Sequence, residues 1–334
     1  MTSASLVAVE TAEPSRLATL AEWSNLAVYS AMLVLVAALI AFAISFSARG
    51  QRTMAREPKA SDLVSVGAGS SSEPPRPDAD VATDPAPGRR AGNIAMALTW
   101  LAAGLLLVGL VLRGLWAGRA PWGNMYEFSL AWTFGILAVF LVVSLRRDIR
   151  WLGLPVIFLS ILSLGLAVTV LYTEAAQLVP ALRSWWLIIH VAAAVICGGA
   201  FTVAAAISVL YLWRDRAERK GDVKGVVATL PDAARLDTLA YRILAFAFPL
   251  WTFAVISGAI WAEYAWGRYW GWDPKETWAF ITWVIYAGYL HARSTAGWRG
   301  RRAAYISLLG FVSFLINYFG VNIFVNSLHS YAGL

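Results

Sequence analysis

One loop of the chain mixes aromatic, glycine and charged residues more densely than an ordinary membrane loop does. Trp266–Trp278 reads Trp-Gly-Arg-Tyr-Trp-Gly-Trp-Asp-Pro-Lys-Glu-Thr-Trp, and Trp261 and Trp283 lie close on either side. Its glycines allow close backbone approach, and Asp273 before a proline predicts a turn that caps the next helix. This mixture is typical of a shelf for a flat, mostly apolar ligand with a few polar groups.

An interfacial aromatic belt is the alternative explanation, because Trp and Tyr collect at the headgroup level of membranes. A belt accounts well for scattered residues such as Trp23, Trp116 and Trp151. It accounts poorly for a cluster interrupted by glycines. The loop residues that we expect to contact a ligand are Trp266, Trp270, Trp272, Asp273 and Trp278.

The chain has only three histidines, all in or beside apolar segments. His190 lies about 9 Å into its segment from the outer end, at the helical rise per residue. His329 follows the last segment on the same side. Two neutral imidazoles facing each other across a planar macrocycle would hold a six-coordinate haem iron. The pattern favours a porphyrin site, although a hydrogen bond to a neighbouring helix explains one such histidine equally well.

The third histidine, His291, lies at the cytoplasmic end of its segment beside Arg293. A separation of about 20–30 Å across the bilayer keeps it from the same iron. Snorkelling beside Arg293 would by itself explain its position.

Composition indicates an integral membrane protein, since 59% of its 334 residues are hydrophobic. The apolar runs lack the alternation of spanning strands, so we predict an all-α polytopic fold with about eight transmembrane helices. The predicted spans are Trp23–Phe46, Asn93–Leu112, Tyr126–Leu145, Trp151–Tyr172, Ser184–Trp213, Tyr241–Glu263, Thr277–Arg293 and Ala303–Val325.

Basic residues are concentrated in alternate loops, those after the first, third, fifth and seventh spans. The positive-inside rule makes these loops cytoplasmic, so both termini and the aromatic loop face outward from the cell (plasma) membrane. The net charge of +7 is therefore explained by basic loops that orient the chain in the membrane and contact lipid headgroups. It does not require a nucleic-acid partner.

Three regions follow along the chain. We interpret residues 1–47 as an N-terminal transmembrane anchor and 48–92, rich in Ser, Pro, Asp, Ala and Gly, as a disordered cytoplasmic linker. Residues 93–334 form a seven-helix core that contains the aromatic region 261–278. The single cysteine, Cys197, excludes a dithiol relay within this chain, and no Cys-x-x-Cys-His motif for covalent haem attachment is present.

These residues resemble a known family. Trp266–Trp278 resembles the tryptophan-rich WWD signature of haem-handling proteins, and the wider pattern resembles the CcsA/ResC type of System II cytochrome c biogenesis protein. The resemblance extends over roughly residues 93–334. The wider pattern comprises Pro121–Glu127, Trp186–His190, Tyr289–Arg293 and Leu328–Ala332.

The resemblance implies two sites for haem b. His190 and His329 match the axial ligands of the outer WWD site, and His291 matches a ligand of a second haem nearer the cytoplasm. The family takes the opposite ligand of that second haem from a ResB/Ccs1-like membrane protein. Since this chain has no fourth histidine, that partner would be a separate chain.

We therefore predict a membrane subunit of a haem-export and cytochrome c synthase complex. The resemblance implies holocytochrome c synthase (haem lyase) activity on apocytochrome c, together with the ResB-like partner. We assign no catalytic acid or base, and Glu127, Asp273 and Glu276 are candidates by position only.

Two other functions stay open. A haem- or quinone-binding electron-transfer protein would need facing histidine pairs, and three histidines do not supply two pairs. A transporter of another amphipathic substrate could use the aromatic residues as a gate, and purified protein without a Soret band would favour it.

Overall fold

A computed structural model describes residues 3–55, 87–174 and 184–329. Within these ranges the chain forms helices and turns and no β-strand. The helices are α1 (Ser3–Ala55), α2 (Pro87–Ala117), α3 (Met125–Ser144), α4 (Gly153–Thr169), α5 (Trp185–Lys220), α6 (Ala233–Trp266), α7 (Pro274–Thr295), α8 (Arg301–Leu315) and α9 (Val321–Phe324). Short 3-10 helices lie at Arg150–Leu152 and Gly225–Thr229, and a π-helical turn, Ile316–Gly320, joins α8 to α9. The predicted all-α polytopic fold is confirmed, and the chain is a multi-pass membrane protein.

Each of the first seven predicted spans lies mainly on one helix, and the eighth, Ala303–Val325, covers α8, the π-helical turn and α9. Within the described ranges, seven stretches are long and apolar enough to cross a membrane, and these belong to α1 to α6 and to α8 with α9. The remaining long helix, α7, is more polar because Lys275 and Glu276 lie in its first turn and Arg293 in its last. The predicted direction of the termini across the membrane stays a prediction.

Despite its polar ends, α7 packs lengthwise between α6 and α8. The indole Nε1 of Trp283 donates to Thr252 Oγ1 on α6 over 2.9 Å. On the other side, the hydroxyl groups of Thr282 and Ser313 lie 2.9 Å apart. Side-chain hydrogen bonds of this kind join helices inside a membrane. Helix α7 is therefore held within the bundle by contacts with both neighbours, and its crossing of the membrane stays a prediction.

Helical structure extends into both ends of the region that we predicted as linker. Helix α1 continues to Ala55 and α2 begins at Pro87, so helix replaces the predicted disorder at the two ends of 48–92. Residues 56–86 lie outside the described residues. The disorder predicted there stays a prediction, as does the anchoring role of residues 1–47.

Helices α3 and α5 cross at two glycines. A Cβ atom on Gly199 would lie 2.5 Å from the carbonyl of Gly135, and one on Gly135 would lie 2.8 Å from the carbonyl of Val195. Only glycine permits backbones to approach this closely. The crossing fixes the start of α5, which carries His190, relative to the start of α3.

Candidate functional site

A cavity opens between the helices at the end of the bundle that carries Trp266–Trp278, called here the aromatic end. Most of its wall is apolar, with indole rings from the lining residues Trp122, Trp251, Trp261 and Trp270. A few polar side chains converge on it, among them His190, Lys275, Asn317 and His329. A concave apolar wall with a small number of polar groups is typical of a small-molecule site.

The first histidine on this wall, His190, projects from the second turn of α5. Its Nδ1 donates to the carbonyl of Ala254 on α6 over 2.7 Å. The two helices approach closely because residue 258 is glycine, where a Cβ atom would lie 2.7 Å from the imidazole Nδ1. Since a carbonyl can only accept, the neutral ring carries its proton on Nδ1 and keeps the lone pair of Nε2 for a ligand.

The second histidine, His329, lies in a turn shortly after α9 and reaches the same cavity. Its Nδ1 lies 2.8 Å from Asp273 Oδ2, while Asp273 Oδ1 accepts from the amide of Leu328 over 3.0 Å. A carboxylate that accepts from Nδ1 fixes the tautomer and raises the basicity of Nε2. The structure thus orients both imidazoles in the same way.

One indole joins the two histidines. The Trp261 ring is stacked on the ring of His190, with centroids 6.3 Å apart, and its centroid lies 5.6 Å from that of His329. Trp266 packs against His329 edge to face at 4.7 Å. The structure therefore brings together the two histidines that the sequence predicts to share a ligand.

Electrostatics keep the His329–Asp273 pair in the form that suits a metal ligand. Burial, together with the nearby charge of Lys275, lowers the pKa of His329 to about 4, so the ring is neutral near pH 7. Burial alone would raise the pKa of Asp273, but hydrogen bonds from Leu328 and His329 bring it below its usual value. Near pH 7 the Asp273 carboxylate is therefore ionised and the His329 ring beside it is neutral.

The loop itself is held by two carboxylates. Asp273 caps α7 and forms a capping box with Glu276, which confirms the predicted cap. Glu276 also accepts from Arg268 over 3.0 Å and from the amide of Gly271 over 2.8 Å. These bonds pin the backbone of the loop beside the cavity.

The four predicted loop tryptophans occupy different places. Trp270 lines the cavity. Trp266 packs against the His329 ring and is not among the described lining residues. Trp272, the one described non-glycine residue with a positive φ (+58°), points outward and is 63% exposed. Trp278 is partly exposed in α7, and the lining drawn from the described residues does not include it. Their assignment as ligand contacts stays a prediction.

A buried ion cluster places the second loop of this end. Glu127, fully buried at the start of α3, contacts Arg113 Nε at 3.1 Å and Arg119 Nη1 at 2.6 Å. It also accepts from the amide of Gly123 over 2.7 Å, which sets Trp122 against the cavity. Breaking a buried pair of this kind costs about 3–5 kcal/mol. Glu127 and the two arginines therefore shape the cavity wall.

Two buried polar atoms of the cavity wall have no hydrogen-bond partner among the described residues. They are the carbonyl oxygen of the Asn317 side chain and the indole Nε1 of Trp122. Asn317 belongs to the π-helical turn, a feature frequent at functional sites. Unpaired buried polar atoms are costly, so a ligand with polar groups suits this wall. The sequence could have pointed to Asn317 as a site residue, because a polar side chain within an apolar span is costly and often functional.

His291 lies apart from this site, at the other end of α7, and its side chain is exposed. Nearby, Arg293 forms a two-fold pair with Asp237 at 2.7 and 2.9 Å and lies over the ring of Tyr241. The pair ties α7 to α6 two residues beyond His291. His291 is thus not among the described residues of the cavity wall, and its role as a ligand stays a prediction.

Comparisons with known proteins extend over most of the chain. The cytochrome C assembly protein family matches residues 122–329. A cytochrome c biogenesis protein CcsA from Guillardia theta is 37% identical over 71% of this chain and 84% of its own length. The protein of the same name from Gloeobacter violaceus is 34% identical over 72% of this chain and 93% of its own.

A solved structure shares the fold at much lower identity. Cytochrome c Heme Lyase CcmF superposes with a TM-score of 0.61 and 16% identity over 94% of this chain, which spans about half (48%) of that protein. The family match and the CcsA relatives together show a role in cytochrome c assembly. The chain therefore belongs to the cytochrome c assembly protein family and is a CcsA-type cytochrome c biogenesis protein.

Proposed function

We propose that the cavity binds one haem b through His190 and His329 and presents it for attachment to apocytochrome c. The single observation that supports this most strongly is the shared geometry of the two histidines. Each donates Nδ1–H to a fixed acceptor, Ala254 or Asp273, and keeps Nε2 for a metal. Both rings contact the indole of Trp261.

The residues present fit a haem. Two neutral imidazoles are a sufficient axial ligand set for its iron. The apolar wall with Trp122, Trp251 and Trp270 suits the flat macrocycle, and the polar atoms of Asn317 and Trp122 that lack partners among the described residues suit its substituents. Haem is the substrate here, and its vinyl groups supply the chemistry.

Attachment needs no oxidant. The thiol of a Cys-x-x-Cys-His motif adds across a vinyl group, so that sulfur bonds to one vinyl carbon and the thiol proton passes to the other. The S–H bond and the π bond break as the C–S and C–H bonds form. The chain contributes orientation, because the histidines and the aromatic wall hold the vinyl edge in near-attack geometry for the thiol.

The second haem site and the partner are part of the same proposal. His291 would hold a haem b together with a separate ResB/Ccs1-like membrane protein, and haem lyase activity would require that partner. Exposure of the His291 side chain supports this, since a ligand completed by another chain must be accessible to it. We place the aromatic end on the extracytoplasmic side of the cell membrane, following the basic loops.

Replacing each histidine in the complex tests the proposal. The chain is co-expressed with its ResB-like partner and a reporter apocytochrome c, and holocytochrome yield and the Soret band are measured. His190→Gly and His329→Gly are expected to abolish attachment and lower haem content, and added imidazole is expected to restore part of both. Normal holocytochrome yield from either variant at wild-type expression would contradict the ligand assignment.

A further inference from the structure

One cation, Lys275, lines the cavity without an ion pair to any carboxylate of the described residues. It occupies the second position of α7, and its side chain is part of the cavity wall. Its ammonium group lies 6.0 Å from the centroid of the Tyr318 ring, inside the wall. A cation at a helix N-terminus opposes the helix dipole, so this position does not favour lysine for helix stability.

The carboxylates nearest to Lys275 are occupied by other groups. Asp273 accepts from the ring of His329 and the amide of Leu328, and Glu276 accepts from Arg268 and Gly271. Within the described residues, no carboxylate forms an ion pair with the Lys275 ammonium. An unpaired cation in an apolar wall is unfavourable until an anion joins it.

Each arginine that the structure describes at the aromatic end has a carboxylate partner. Arg113 and Arg119 both contact Glu127, and Arg268 contacts Glu276. None of these arginines is among the described residues of the cavity wall, where Lys275 is the only cation. Among the described lining residues, the cationic side chain that can meet an anionic ligand is therefore that of Lys275.

We propose that Lys275 binds a carboxylate substituent of the tetrapyrrole held by His190 and His329. This inference rests on the proposed haem site. Haem carries its two propionates on one edge, and a compact ammonium is a suitable point-charge partner for one of them. Axial ligation alone leaves the macrocycle free to rotate about the line through the iron. A carboxylate held by Lys275 fixes that rotation and hence which edge carries the vinyl groups toward the incoming thiols.

The position of Lys275 relative to His329 supports this placement. Lys275 follows two residues after Asp273, whose carboxylate accepts from the His329 ring. Both the lysine and the histidine line the same cavity, so a macrocycle held by His329 would have its rim within reach of Lys275.

Porphyrin titration of the purified full chain tests the inference. Iron protoporphyrin IX and its dimethyl ester, in which both carboxylates are neutral, are titrated and followed by the Soret band. The wild-type chain is expected to bind the free acid about 10- to 100-fold more tightly than the ester, as loss of a charged hydrogen bond implies. Lys275→Met is expected to bring the two affinities within about threefold of each other, with the ester affinity unchanged.

Two variants control for charge and folding. Lys275→Arg is expected to keep the preference for the free acid, and Lys220→Met, which removes an exposed lysine at the far end of α5, is expected to keep it fully. Equal binding of acid and ester by the wild-type chain, with a two-histidine spectrum, would overturn the role of Lys275 and leave the haem site standing. Failure of the wild-type chain to bind either porphyrin would overturn both.

Discussion

The histidines at the two ends of the bundle are supported in opposite ways. At the aromatic end, His190 and His329 each have a fixed hydrogen-bond acceptor, and one indole packs against both rings. At the other end, the His291 ring is exposed and no hydrogen bond joins it to another described side chain. If the proposed function holds, the aromatic end would bind a haem without a partner chain, whereas the end with His291 would need a second ligand from another chain.

The largest expected effect separates the two ends directly. In the full chain purified without a partner, we expect one porphyrin to bind, and His190→Gly to lower its affinity by more than about 100-fold. This loss of affinity is larger than the 10- to 100-fold expected when only a hydrogen-bond partner of a metal ligand is removed, because His190 is itself the proposed ligand. The measurement is a Soret titration. His291→Gly is the matched control and should bind as the wild type does; an equal loss in both variants would contradict the comparison.

A smaller effect is expected from Asp273→Asn. Asparagine still caps a helix, but its amide cannot hold the His329 Nδ1–H as a carboxylate does. We expect porphyrin affinity to fall by about 10- to 100-fold, the usual cost of losing a partner of a metal ligand. Asp232→Asn, at the cap of α6, makes the same change at the other end of the bundle and should leave the affinity unchanged. Unaltered affinity in Asp273→Asn would show that the carboxylate does not orient His329.

A third test uses the close approach of α6 to His190. In Gly258→Ala the new methyl group would lie 2.7 Å from the imidazole, so the ring must shift. Overpacking costs about 1–3 kcal/mol, and about 1.4 kcal/mol of that carried into binding predicts a loss of porphyrin affinity of about tenfold. Gly288→Ala on α7 has open space around it and serves as the control. It should keep the affinity and raise thermal stability slightly, since alanine favours a helix interior.

A further expected effect concerns stability and its dependence on pH, with no change in the binding site. The His329 ring has a pKa of about 4 in the folded chain against an ordinary value of 6.5. Between these values the unfolded chain binds more protons, so the free energy of unfolding should decrease as the pH falls from about 6.5 to 4. Unfolding of the apo chain followed by fluorescence measures this. His329→Gln should flatten the dependence in that window, and an unchanged slope would contradict the lowered pKa.

The sequence was sufficient for the helices and for part of the cavity. Long apolar runs predict the spans because a bilayer requires helices, and Asp273 before proline predicts the α7 cap. The approach of His190 to His329 followed from placing both at one face of the membrane. These features depend on local chemistry and on depth in the bilayer, which one sequence expresses directly.

The rest of the cavity depends on which side of each helix faces inward. In apolar spans the periodicity is weak, so the sequence did not indicate that Trp251 lines the wall. Lys275 lies in the first turn of α7, where the sequence does not show on which side of the helix its side chain falls. The outward direction of Trp272 follows from a positive φ that no residue type in the loop predicts. Likewise, the contact of Gly258 with His190 requires knowledge of how α5 meets α6.

The glycine crossing of α3 and α5 has a mechanical consequence. Gly135 and Gly199 meet about 14 Å along the helices from Met125 and His190, at the rise of an α-helix. The contact leaves no room between the two backbones, so any larger residue at either glycine would force the helices apart. Such a separation would carry Met125 and His190, which both line the cavity, away from their present positions.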